Sequence, residues 1–159
     1  MSLKSPRLRR LGKVAGLDVY LVDGEYIRNN FDIDFTCGGQ EAVYPSYVPP
    51  GEVWIDDALH ALDRTATALH EIVERDQMMR YGKSYDDAHE VASATERPFR
   101  RELAKAPPRA FDARRVGAAY RAYLKNPGRY PVMDRPDDPA RGPHQMDREI
   151  AEVLERRMR

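Results

Sequence analysis

The sequence has little of several things that mark whole classes of protein. It holds one cysteine, Cys37, in 159 residues, so no disulfide can form within the chain. Lysine plus arginine and aspartate plus glutamate both number 26, which leaves no net charge to draw the chain to nucleic acid or a lipid surface. No apolar run approaches the roughly 20 residues that cross a bilayer, and no basic leader with an apolar centre is present. Glycine-rich phosphate loops, dinucleotide fingerprints and serine-nucleophile elbows are also missing, which argues against nucleotide-dependent chemistry. These absences predict a protein of the reducing cytoplasm with no nucleic-acid partner and no membrane partner.

What is present suits one domain with a modest core, since the chain is 42 % apolar and 33 % charged. Residues 1–13, basic from Lys4 to Arg10, are predicted to form a flexible arm. Residues 14–128 are predicted to form a single α+β domain: a small antiparallel sheet, then a helical hairpin, with two further helices in the chain. The apolar run Leu17 to Val22 reads as a strand, and Asp23-Gly24 as a turn. Phe31 to Thr36 alternates apolar and polar residues like a half-buried strand, with Phe31, Ile33 and Phe35 inward. Gly38-Gly39 breaks that strand, and Val53-Trp54-Ile55 reads as the last one.

From Asp57 to about Arg80 the residues Leu59, Leu62, Ala66, Leu69 and Val73 recur three and four apart, the spacing of an amphipathic helix, with Asp56 or Asp57 as its N-cap. Gly82 ends it. Ser84, with an acid at Asp87, caps a second helix whose buried stripe is Ala88, Val91, Ala92 and Thr95, and Pro98 is predicted to end or kink it. A third helix is expected from Asp112 to Leu124. Residues 129–145 read as a proline-rich linker or surface loop, and 146–159 as a C-terminal helix able to dock on the domain, a partner or another copy.

The chemistry concentrates in the hairpin. His70 and Glu74, four apart, project from one helix face with Cβ atoms about 5–6 Å apart, so one ion could bridge them. Glu71 borders the same groove, where a carboxylate can act on metal-bound water. On these residues and the preceding text Thr65-Ala66-Thr67-Ala68-Leu69, the helix resembles that of the zincin metallopeptidases, which carries His-Glu-x-x-His. In the gluzincin branch the following helix supplies a third ligand. Carried over by position, the resemblance implies zinc held by His70, Glu74 and His89, with Glu71 as general base and a peptide or protein as substrate. Glu74 stands where the family has its second histidine. The resemblance covers Val53 to Arg97, less than half the chain. A looser one is to small bacterial and phage proteins with a His-Glu helix followed by an Ala-His-Glu helix.

A non-enzymatic reading stands beside this one. In it the same residues form a buried polar network or a structural metal site in an interaction or phage-type structural protein. The spacings Asp57-x-x-His60 and Asp86-x-x-His89 also occur in helical di-metal sites, but the further glutamates such sites need are not found, and they read as chance. His144 reads as solvated. Cys37 reads as a semi-buried thiol, with a ligand or nucleophile role as the alternative.

Overall fold

The computed structural model describes residues 4–127, so the predicted linker and C-terminal helix, together with His144, lie outside the described residues. Four strands, β1 (Arg7–Val14), β2 (Leu17–Val22), β3 (Gly38–Gln40) and β4 (Glu52–Asp56), make one sheet in the order β1-β2-β4-β3. Four helices accompany it: α1 (Gly24–Asn30), α2 (Ala61–Tyr81), α3 (Tyr85–Lys105) and α4 (Ala113–Lys125). The fold is therefore α+β, as the sequence implies. The sheet is mixed rather than wholly antiparallel: β1 and β3 run antiparallel to their neighbours, but the central pair β2 and β4 is parallel. A parallel pair needs a crossover, and α1, its following loop and β3 supply it.

Side-chain alternation along β2 and β4 divides the core. Val19, Val53 and Ile55 face α2, α3 and α4 in the larger cluster, while Val22 and Trp54 face α1, Phe35 and Val48 on the other side. With helices on one face and an aromatic loop on the other, both faces are covered. Among the described residues no helix is long and apolar enough to cross a membrane.

Two expectations are corrected and one, at Pro98, is narrowed. Residues 7–13, placed in a flexible arm, belong to β1 and pair with β2. Two register shifts, between Arg7 and Arg9 and between Arg10 and Gly12, break the alternation that would have revealed the strand. Phe31 to Thr36 is not a strand. Its aspartates capture the backbone locally: Asp32 accepts from the Asp34 N–H at 3.0 Å, and the Thr36 hydroxyl donates to the Asp34 carbonyl. Phe35 is fully buried as predicted, but Ile33 is 54 % exposed. Pro98 does not end α3, which runs on to Lys105. Packing of Phe99 and Leu103 and the ion pairs of Arg100 hold the helix together beyond it.

Two smaller differences follow from capping chemistry. Asp23-Gly24 starts α1 instead of a hairpin, because the Asp23 carboxylate accepts from the Tyr26 N–H at 2.9 Å. Helix α2 begins after His60 rather than at Asp57, since Asp56 is already engaged by Arg28 and by the Ala58 N–H. Gly82 in the left-handed region and Ser84 over the Asp87 N–H close and reopen the hairpin as expected.

The approach of α1 to Asp56 depends on Gly24. A Cβ there would lie 2.3 Å from the Asp56 carboxylate, which is buried and pinned by Arg28. Gly24→Ala is expected to destabilise the protein by about 1–3 kcal/mol, read as a fall in urea midpoint with unchanged slope.

Candidate metal centre

Helix α2 is the centre of the molecule, and every position from Thr65 to Glu74 along it is buried. A helix enclosed on all sides is normally apolar all round. This one carries His70, Glu71 and Glu74 at 7, 8 and 2 % exposure. Such groups are buried only when paired or bound.

The hairpin brings His89 to them. Glu74 lies eight residues before Gly82 and His89 seven after it, so they are level across the turn, at rises of about 12 and 10 Å. His70 stands one helical turn further back and reaches the same point through its ring. His89 Nδ1 is 2.9 Å from Glu74 Oε2, His70 Nε2 is 3.3 Å from the same oxygen, and the two ring nitrogens are 3.2 Å apart. The three predicted ligands therefore offer their donor atoms to one point, and they form a cluster able to hold a cation. His89 is the most open of the three, its side chain 21 % exposed, with the Tyr85 ring 5.4 Å away.

Two further residues complete the centre, neither singled out by the sequence reading. Glu96 Oε1 lies 2.9 Å from His70 Nδ1, on the side of the ring away from Glu74. It comes seven residues after His89, hence on the same face of α3, and that spacing was the available signal. Gln40, at the end of β3, donates from Nε2 to Glu74 Oε1 at 3.2 Å. No sequence signal links it to the hairpin. The strand can come so close because Gly38 has no side chain: a Cβ there would meet the Trp54 carbonyl at 2.8 Å and Thr67 Cγ2 at 3.0 Å.

The electrostatics separate Glu71, Glu74 and His70. Burial pushes the Glu71 carboxyl well above the ordinary carboxylate range, the nearby Glu74 charge adds to this, and His70 opposes it only partly. Burial would also raise Glu74, but hydrogen bonds from His70 and His89 outweigh it and hold that carboxyl low. For His70, burial favours the neutral ring, while hydrogen bonds to Glu74 and Glu96 and the charge of Glu71 outweigh it and raise its pKa. Two adjacent carboxyls pushed in opposite directions suit one to be a base and the other an anionic ligand.

The remaining sequence candidates do not join the cluster. His60 is exposed at the N-cap of α2. Cys37 is exposed rather than semi-buried, and local desolvation with the charges of Asp56, Glu71 and Glu96 raises its thiol pKa, the opposite of an activated nucleophile. No protein-family model, curated protein or solved structure matches the chain.

Proposed function

We propose that this protein is a zinc-dependent hydrolase acting on peptide or amide bonds, with His70, Glu74 and His89 as ligands and Glu71 as general base. The observation that carries the reading is the triangle of donor atoms, with edges of 2.9, 3.2 and 3.3 Å. Tetrahedral zinc with bonds of about 2.0–2.2 Å sets neighbouring donors about 3.3 Å apart. Three protein ligands would leave a coordination position for water, and His89 is the most solvent-exposed of the three, its side chain 21 % exposed. A zinc held by His70, Glu74 and His89 would supply a Lewis acid and an acidified water, and Glu71 would be the group that accepts that water's proton. A chain with one cysteine suits a reducing cytoplasm, where such a site would work.

A second reading has its own support. Glu74 and His89 contact each other and His70 at 2.9–3.3 Å, and Glu96 joins them through His70 alone at 2.9 Å, which is also what a structural polar network or structural metal site would need. In that case the protein is an interaction or structural protein, with residues 146–159 as the element that meets a partner.

Elemental analysis of protein purified without chelator tests the metal. One zinc per chain is expected, and none in His70→Ala. Zinc at a hundredfold excess over Kd stabilises the native state by about 2.7 kcal/mol, a rise in Tm of about 5–10 °C for a domain of this size. Absence of bound metal together with an unchanged Tm would overturn both metal readings.

A further inference from the structure

An imidazole binds a metal through one nitrogen, and the partner of its other nitrogen decides which one is free to do so. Beside the other nitrogen of His70 stands the Glu96 carboxylate, its Oε1 2.9 Å from Nδ1 in an ion-pair contact. The other Glu96 oxygen, Oε2, is occupied: Arg100 donates to it from Nε at 3.1 Å and from Nη2 at 3.0 Å. Oε1 is thus the oxygen left for the histidine. Arg100 does not stand alone either, since its Nη1 bonds Asp63 near the start of α2. The result is a strap, Asp63 to Arg100 to Glu96 to His70, that leaves α2, crosses to α3 and returns to α2 at the ligand.

We propose that Glu96 is a positioning residue that fixes the His70 ring in its Nδ1–H form, so that Nε2 presents a lone pair to the cation, and that Arg100 and Asp63 hold Glu96 in place for it. The inference rests on the metal-binding reading of His70, Glu74 and His89. Gln40 does the corresponding work for Glu74, holding Oε1 so that Oε2 faces the histidines. A plain ion pair between neighbouring helical turns would need only Glu96 and Arg100. The presence of His70 on the remaining oxygen is what makes the strap more than that.

The test is zinc titration of the full chain with wild type, Glu96→Gln and Glu96→Asp, together with nitrogen-15 NMR of the His70 ring in the zinc-loaded protein. The expected results are an Nδ1–H ring in wild type, zinc affinity reduced about 10–100-fold in Glu96→Gln with a mixed ring tautomer, and partial recovery in Glu96→Asp. Equal affinity and an unchanged tautomer in Glu96→Gln would overturn the positioning role and leave the metal site standing. Failure of wild type itself to bind zinc would overturn the metal reading first. If Glu96→Gln does not fold, Arg100→Gln frees the same carboxylate, and a smaller loss of affinity in the same direction is expected. An unchanged affinity there also overturns the role.

Discussion

Glu74→Ala is expected to lower the stability of the metal-free protein by about 3–5 kcal/mol and to abolish zinc binding. Its carboxylate is 2 % exposed and is shared by three partners, with Oε2 between His70 and His89 and Oε1 on Gln40. Removing it leaves two imidazoles and an amide facing a small void, and an uncompensated buried polar group is the costliest kind of loss. Urea unfolding in chelator measures the first effect and elemental analysis the second. A change below about 1 kcal/mol would mean that Glu74 is not the hub of the network. The pH dependence has a definite sign. Burial alone would raise Glu74, but its hydrogen bonds to the histidines prevail and lower it. Its contribution is therefore present above the unfolded carboxylate pKa and is lost as the pH falls through the lowered folded value. The gap between wild type and Glu74→Ala should narrow in acid.

Glu71→Gln is expected to do the reverse to stability while removing activity. As a general base Glu71 is worth about 10²–10⁴-fold in turnover, so hydrolysis should fall by that factor with zinc content unchanged. Loss of zinc in this variant would make Glu71 a ligand rather than the base. Burial, then the charge of Glu74, raises its folded pKa. A raised group stabilises fully below its unfolded pKa, and that stability drains away as the pH climbs through the folded value. Wild type should therefore lose stability relative to Glu71→Gln as the pH rises above the ordinary carboxylate range. Thermal unfolding of both proteins across that range reads the effect.

The site was more legible in the sequence than the sheet around it. His70, Glu74 and His89 can be found because helical spacing converts directly into geometry, and because the Gly82 and Ser84 signals fix the hairpin that aligns them. Glu96 could have been found by the same arithmetic, one heptad past His89. Gln40 could not, because nothing local announces which residue of a three-residue edge strand will lie over a helix 34 positions later. The sheet failed for related reasons. Alternation is the signal for a strand, but β1 breaks it with register shifts and Phe31 to Thr36 imitates it with aspartates that fold back on their own backbone. The parallel pairing of β2 and β4 depends on how a long excursion returns, which composition does not encode.

That excursion bears on how the protein assembles. His70, Glu74, His89 and Glu96 all belong to one helical hairpin, so they meet once a short turn closes, at small loss of chain entropy. The parallel pair, by contrast, must wait for the whole stretch from α1 to β3 to be placed between β2 and β4. Pairings of that kind are the slow steps of folding. The hairpin is thus expected to form early as a local module and the sheet to close over it afterwards, with the Gln40–Glu74 contact among the last to be made.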